Sequence, residues 1–315
     1  MKYLVTGAAG FIGSHLAEKL LARGDSVIGI DCFTDYYPRW IKEKNLAGLR
    51  ARKGFKFIEA DLKKIKLKPL LSRVNHIYHL AAQAGVRSSW GKDFDRYLQN
   101  NIKVTQRILE AMLDFPDMKM AFASSSSVYG DTDQLPTPET AAKNPFSPYG
   151  VTKLACEALC YLYHRNHKVR VNSIRFFTVF GSRQRPDMAF HKFIAAALTE
   201  KPITIYGDGT QKRDFTYIND IIAGTIAAME KGRPGEAYNL GGGHQIELKD
   251  AVNLILKLCG KKAQIKFLPP QKGDVRETLA DTAKARKELG YNPQGSVEQG
   301  LKEEIEWVRA ILKKG

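Results

Sequence analysis

The chain has 315 residues, of which 43% are hydrophobic, enough to form a large core that we expect to divide into two lobes. No apolar run reaches the roughly 18 residues needed to cross a bilayer, and the first residues read as a buried strand rather than a secretory leader. We therefore expect a cytoplasmic protein rather than a membrane-spanning or secreted one.

The net charge of +16 favours anionic partners. Small anionic ligands and nucleic acid both qualify on charge alone. However, the lysines are dispersed, with only short runs such as residues 63–68, and no nucleic-acid-binding motif accompanies them. We interpret the charge as a solvated basic surface and expect no nucleic-acid partner.

The cysteines and paired histidines do not have the spacing of a metal site or a disulfide framework. Cys156 and Cys160 lie four apart on an expected helix that ends near His164 and His167, but no second cysteine pair completes a zinc motif. We therefore expect free thiols and no bound metal.

Short apolar runs alternate with helical patterns through the first half of the chain. We expect strands at residues 3–6, 26–30, 56–59, 76–80, 120–124 and 169–176. Expected helices include 12–22, 97–113 and 149–164. This alternation predicts the α/β class, namely a Rossmann-type, doubly wound parallel sheet with helices on both faces.

The rhythm loosens after residue 177. Helices are expected at 190–199, 219–229, 248–258 and 297–312, and strands at 203–206 and 237–240. We expect a first domain at 1–176 and a smaller α/β substrate-binding lobe at 177–315. The pattern leaves open that part of 213–242 returns to the main sheet.

A glycine-rich turn, residues 6–13, joins the first strand to the first helix. Gly7 permits a tight turn, Gly10 lets the backbone approach a pyrophosphate, and Gly13 lets helix and strand pack closely. Asp31 ends the second strand, where a carboxylate binds an adenosine ribose and repels a 2′-phosphate. The first domain is therefore predicted to bind NAD rather than NADP.

A tyrosine and a lysine lie four residues apart at the start of an expected helix, so they share one face. In this pair, Tyr149 and Lys153, the ammonium stabilises a phenolate that can act as a base. The serines at 124–127 follow the preceding strand at its carboxyl end, where α/β sheets bind ligands. We interpret the serines as part of the same site.

These motifs together resemble the extended short-chain dehydrogenase/reductase family, in particular its nucleotide-sugar epimerases and dehydratases. The resemblance runs through nearly the whole chain. It implies a cofactor site formed by Gly7, Gly10, Phe11, Ile12, Gly13, Asp31, Asp61, Leu62, Leu80, Ala81, Ala82, Gln83, Asn101, Tyr149 and Lys153.

The resemblance also implies the chemistry. Ser125 matches the family's catalytic Ser or Thr, which shares a proton with Tyr149 at the sugar 4-oxygen. The hydride at C4 passes to NAD, the 4-keto sugar turns, and the hydride returns to its opposite face. Dehydratases and decarboxylases of the family carry carboxylates where this chain has Ser126 and Ser127, so an epimerase is favoured.

Residues 175–181 and 185–189 resemble UDP-glucuronate 4-epimerases, whereas UDP-galactose 4-epimerases have Asn at the position of Thr178. A 4-keto glucuronate is a β-keto acid and loses carbon dioxide if its carboxylate bond aligns with the π system of the carbonyl. The groups that could hold the carboxylate out of alignment are Ser126, Ser127, Thr178, Arg185 and Arg87. For either arginine, a surface or diphosphate contact remains an alternative.

Residues 206–215 and 273–276 resemble the family's nucleotide-binding segments. The resemblance implies that Arg213 and Arg276 bind phosphate and that Asp274 lies near the ribose. It also implies a homodimer formed through the helices near 97–113 and 149–164. UDP-galactose 4-epimerase and a non-catalytic, NAD-bound binding protein remain alternative functions.

Overall fold

The computed structural model describes residues 1–313 and has a central sheet of seven strands, all parallel, in the order β10-β6-β5-β4-β1-β2-β3. The predicted fold class is confirmed. The strands of this sheet are β1 (Lys2–Thr6), β2 (Ser26–Asp31), β3 (Phe55–Glu59), β4 (His76–His79), β5 (Lys119–Ser125), β6 (Arg170–Phe176) and β10 (Ala237–Leu240).

The other strands form two small sheets. One has the order β11-β9-β7 and the other pairs β12 with β8 in parallel. Their strands are β7 (Thr178–Phe180), β8 (Ile203–Tyr206), β9 (Lys212–Tyr217), β11 (Gln245–Glu247) and β12 (Ile265–Leu268). The sequence pattern predicted β8 but missed β7, β9, β11 and β12.

Eleven α-helices lie in residues 1–313. They are α1 (Phe11–Ala22), α2 (Arg39–Arg50), α3 (Leu67–Leu71), α4 (Phe94–Tyr97), α5 (Val104–Met112), α6 (Pro148–His167), α7 (Ala189–Leu198), α8 (Ile218–Lys231), α9 (Leu248–Cys259), α10 (Ala283–Leu289) and α11 (Val297–Leu312). Among them we find none with the length and apolar character that crossing a bilayer requires.

The core has one hydrophobic layer on each face of the main sheet. Alternate residues of β1 divide between them, with Tyr3 and Val5 in one layer and Leu4 in the other, as the two-residue period of a strand requires. Helices α1 and α8 cover the first face, and α3, α5 and α6 cover the second. Helices on both faces explain why the strands read as nearly continuous apolar runs.

The predicted helix over 97–113 is a composite. Helix α4 passes into a π-helical turn at Leu98–Lys103 and then into α5. Within 213–242, whose return to the main sheet the pattern left open, β10 pairs with β6. The division into domains at residue 176 stays a prediction.

Candidate active site

A cleft opens at the carboxyl ends of the parallel strands, beside the turn between β1 and α1. Every residue that we predicted to bind the cofactor lines this cleft except Asn101. Of the predicted substrate-binding residues, Arg185 also lines it. Ser124, one of the predicted serines, also lines the cleft, as do Tyr36, Tyr37 and Lys42, to which no role had been assigned.

The glycine turn has the geometry that its spacing predicts. Gly7 has a φ of +71°, and a Cβ added there would lie 3.0 Å from the Ala81 backbone. A Cβ on Gly13 would lie 2.2 Å from the Gly7 carbonyl oxygen. Helix α1 then begins at Phe11 with no side-chain cap, so its first N–H groups are free to bind an anion.

Asp31 lies at the end of β2 with its carboxylate fixed by the surrounding backbone. It accepts hydrogen bonds from Ala9 N at 3.2 Å and Phe33 N at 2.9 Å. Lys42 Nζ lies 3.8 Å from Asp31 Oδ1 and is anchored on Thr34. Lys42 was not predicted from the sequence, where its only signal is its place on the buried face of α2.

Asn101 lies behind the cleft wall rather than in it. Its amide binds both backbone groups of Gln83, accepting from N at 2.7 Å and donating to O at 3.1 Å. It also donates to Thr152 Oγ1, which in turn donates to the Tyr149 carbonyl. Asn101 therefore joins the wall after β4 to the first turn of α6, and the π-helical turn carries it there.

The tyrosine and lysine are held at the start of α6. Ser147 caps this helix by accepting a hydrogen bond from Gly150 N, and Pro148 occupies its first position. Lys153 is buried, donates to the Ala123 carbonyl at 2.7 Å, and lies 5.9 Å from the Tyr149 ring centroid. The structure therefore brings the predicted pair together at the cleft.

The hydroxyls of the serine cluster have different hydrogen-bond partners. Ser124 lines the cleft but donates its hydroxyl to the buried Glu157 at 2.5 Å. Ser125 donates to Ser127 Oγ and accepts from Ser127 N, both at 3.1 Å, and so starts a short 3₁₀ turn. This turn packs on α6, since a Cβ on Gly150 would lie 2.4 Å from the Ser127 carbonyl oxygen.

Arg185 lies in the same cleft as Tyr149, and its charge is partnered. Its Nε and Nη2 donate to the two oxygens of Asp187 at 2.9 Å. Burial opposes the charge of the guanidinium, but Asp187 outweighs it and raises the Arg185 pKa. Tyr36, on the loop after β2, donates to Asp187 Oδ2 at 3.1 Å.

A second cluster contains three of the predicted substrate-binding residues, namely Arg87, Arg213 and Asp274. Arg87 donates to Asp274 at 2.6 Å and lies over the Tyr206 ring, with 4.3 Å between its guanidinium carbon and the centroid. Arg213 donates to the Val275 and Arg276 carbonyls, so its two Nη atoms hold this segment. Thr178 and the exposed Arg276 side chain are outside both clusters of contacts.

The parallel sheet, the glycine turn and the Tyr149–Lys153 pair define a dinucleotide-dependent site of the short-chain dehydrogenase/reductase type. The family model described as GDP-mannose 4,6 dehydratase matches residues 4–304. The chain belongs to this family, as the sequence resemblance indicated.

Similar proteins carry epimerase names. The chain is 46% identical to an uncharacterized UDP-glucose epimerase of Bacillus subtilis and 41% identical to a UDP-glucuronate 4-epimerase of Thermodesulfobacterium geofontis. Each match covers 99% of this chain, and 99% and 97% of the two relatives. A crystal structure of UDP-glucuronic acid 4-epimerase from Bacillus cereus, in complex with UDP-glucuronic acid and NAD, superposes with a TM-score of 0.96 at 46% identity, covering 99% of this chain and 100% of that one.

Proposed function

We propose that this chain is an NAD-dependent UDP-glucuronate 4-epimerase, which converts UDP-glucuronate to UDP-galacturonate through a 4-keto intermediate. The observation that carries the proposal is the presence of Arg185 in the cleft that holds Tyr149 and Lys153. UDP-glucuronate requires a base for its 4-hydroxyl and a cation for its carboxylate at the same site. Tyr149 and Arg185 are these two groups.

The cofactor site fits NAD. The free end of α1 and the approach permitted at Gly7 and Gly13 suit a pyrophosphate, and the fixed carboxylate of Asp31 suits a ribose diol. A 2′-phosphate would meet the Asp31 carboxylate, although the Lys42 ammonium reduces the repulsion. When bound, NAD supplies the acceptor and donor of the C4 hydride.

The residues of the chain move the proton. Tyr149 Oη accepts the proton of the sugar 4-hydroxyl, and the Lys153 ammonium stabilises the phenolate. Ser125 binds the 4-oxygen and shares its proton with Tyr149. Return of the proton from Tyr149 Oη to the 4-oxygen completes the epimerisation after the 4-keto sugar has turned. Hydride loss and return at the same carbon leaves no net oxidation.

The substrate carboxylate is assigned to Arg185, with hydroxyls from Ser126, Ser127 and Thr178 as further donors. These groups keep the C5–C6 bond from aligning with the π system of the 4-keto carbonyl. The sugar therefore keeps its carboxylate. The name of the Bacillus subtilis relative favours a second candidate, UDP-glucose 4-epimerisation. That substrate has no carboxylate for Arg185 to bind.

The nucleotide is assigned to the cluster around Tyr206. Arg87 and Arg276 bind the diphosphate, Asp274 binds the ribose, and Arg213 fixes the segment that carries both Asp274 and Arg276. Of the two alternatives for Arg87, its ion pair with Asp274 favours the phosphate contact over the sugar carboxylate.

We further propose a cytoplasmic homodimer. Free thiols at all four cysteines suit a reducing compartment. Three apolar residues on the outer side of α6 are largely exposed, namely Val151 (47%), Tyr161 (57%) and Leu162 (49%). Leu113, just after α5, is 38% exposed. Exposed apolar side chains on α6 and just after α5 favour an interface with a second copy of the chain.

Incubation with UDP-glucuronate, without added NAD and followed by NMR, tests the proposed function. We expect UDP-galacturonate with little UDP-pentose. Conversion of UDP-glucose to UDP-galactose with no reaction of UDP-glucuronate would establish the second candidate instead.

A further inference from the structure

We propose that Asp187 and Tyr36 are positioning residues that hold the Arg185 guanidinium against the substrate carboxylate and so prevent decarboxylation. The inference rests on the proposed function. It adds two residues, from distant parts of the chain, to the control of the reaction's outcome.

Asp187 fixes the orientation of Arg185. A guanidinium has five N–H donors, and Asp187 accepts from the donors on Nε and Nη2 at 2.9 Å each. This bidentate contact sets the plane of the group, and the donors that Asp187 leaves free remain for a second anion in the cleft. The Arg185 side chain is 24% exposed, as expected of a group that lines a cleft.

Asp187 is itself held in place. Burial opposes its ionisation, but the adjacent Arg185 charge and its hydrogen bonds outweigh burial and keep the Asp187 pKa below the usual value. The carboxylate is therefore charged at neutral pH. Tyr36 donates to Oδ2, the same oxygen that accepts from Arg185 Nη2.

Tyr36 connects the Arg185–Asp187 pair to Ser88, on the segment after β4. Burial raises the Tyr36 pKa to about 12, so its hydroxyl remains a donor. The hydroxyl also lies 3.4 Å from Ser88 Oγ, which lies 2.8 Å from the Tyr97 hydroxyl. The Tyr97 ring packs edge-on against Tyr149, with 6.2 Å between centroids. Arg185 is thus fixed relative to the proposed base.

Fixing Arg185 matters because the intermediate is a β-keto acid. If the C5–C6 bond aligns with the π system of the 4-keto carbonyl, the C5–C6 bond breaks. Its electron pair then forms the enolate, and carbon dioxide leaves. The enolate then takes a proton at C5 and becomes a 4-keto pentose. A loosely held guanidinium would let the carboxylate swing into alignment while the ring turns.

The test compares Asp187→Asn and Tyr36→Phe with Asp35→Asn. Asp35 serves as the matched control, because it lies on the same loop with 81% of its side chain exposed. The fraction of substrate that ends as 4-keto pentose or pentose is measured by NMR, together with kcat, KM, bound NAD and Tm. UDP-glucose, which lacks the carboxylate, serves as a control ligand in displacement assays.

We expect Asp187→Asn to raise the decarboxylated fraction and the KM for UDP-glucuronate by about tenfold each, the effect of losing one charge-assisted hydrogen bond. Tyr36→Phe should change both in the same direction by less, and Asp35→Asn should match the wild type. Bound NAD and the affinity for UDP-glucose should not change.

An unchanged product ratio in Asp187→Asn, with the wild type forming UDP-galacturonate, would overturn this inference and leave the proposed function standing. If Asp187→Asn does not fold, the product ratio of Tyr36→Phe decides in the same way. A wild type that leaves UDP-glucuronate unreacted would overturn both.

Discussion

Glu157 and Arg175 form a bidentate ion pair in the core, with Arg175 Nη2 2.7 Å from Glu157 Oε2 and Nε 2.9 Å from Oε1. Glu157 follows Tyr149 and Lys153 at the same four-residue interval, so all three share one face of α6. Lys153 binds the Ala123 carbonyl and Glu157 binds the Ser124 hydroxyl. These two hydrogen bonds, to adjacent residues of β5, therefore fix the position of α6 along the strand.

Arg175→Met should lower the free energy of unfolding by about 3–5 kcal/mol, because it leaves the Glu157 carboxylate buried without a counter-charge. The side chains of the pair are only 3% and 8% exposed. Urea unfolding at a fixed NAD concentration measures the loss. In the double variant Arg175→Met/Glu157→Leu, most of the lost stability should return.

Arg233→Met is the matched control for this prediction. Arg233 makes a similar ion pair with Glu288, but its side chain is 61% exposed. Its loss should cost less than about 1 kcal/mol. Equal losses in the two methionine variants would contradict the assignment of Glu157–Arg175 as the buried, structurally decisive pair.

Tyr149→Phe should lower kcat by about 10²–10⁴-fold, since it removes the hydroxyl that accepts the substrate proton. The ring and its packing against Tyr97 remain, so bound NAD should be unchanged in the spectrum of the purified protein. Tyr161→Phe, on the exposed side of the same helix, should turn over like the wild type. Turnover near the wild-type value in Tyr149→Phe would refute the proposed mechanism.

Stability should fall in mild acid because of His79. Burial lowers the His79 pKa to about 3, while an unfolded histidine titrates near ~6.5. Between these values the unfolded chain binds the extra proton, so this contribution is complete above about pH 6.5 and declines toward pH 3 at about 1.4 kcal/mol per pH unit. Urea midpoints at pH 7 and pH 5 measure the decline.

His79→Asn separates this contribution from other groups. His79 is hydrogen-bonded to Thr6 Oγ1 and Thr105 Oγ1, so the variant should be less stable at pH 7. Its decline between pH 7 and pH 5 should nevertheless be shallower. A decline as steep as that of the wild type would mean that other groups account for the acid sensitivity.

Gly13→Ala should abolish cofactor retention, because the new Cβ would lie 2.2 Å from the Gly7 carbonyl oxygen in the turn. Gly48→Ala is the control: this glycine lies within α2, and a Cβ there meets no atom within 4 Å. The control should gain up to about 1 kcal/mol of stability from helix propensity. The test is the NAD content of the purified Gly13→Ala variant. An NAD content equal to that of the wild type would contradict the proposed role of Gly13 in cofactor binding.

The cofactor cleft was predictable because its signals are local. Gly7, Gly13 and Asp31 belong to consecutive elements, and strand order in a parallel sheet brings their ends together. The contact between Tyr36 and Asp187 was missed for the opposite reason. The Tyr36–Asp187 hydrogen bond joins residues 151 positions apart, and no spacing along the chain marks such a contact.

The serine cluster shows a second limit. Four consecutive serines indicate a polar site, but their sequence does not tell which hydroxyl points where. Ser124 binds Glu157, whereas Ser125 and Ser127 bind each other. The direction depends on where β5 ends and the 3₁₀ turn begins, which is decided by packing against α6.

The return of β10 to the main sheet bears on how members of this family can be recombined. Asn239, on β10, accepts from the Tyr129 hydroxyl at 2.7 Å and donates to the Thr137 carbonyl, both before residue 176. A chimera joined at one point near residue 176 would bring a foreign β10 beside β6 and break these contacts. Exchange of substrate preference therefore requires three junctions, one near residue 176 and one on each side of the retained β10.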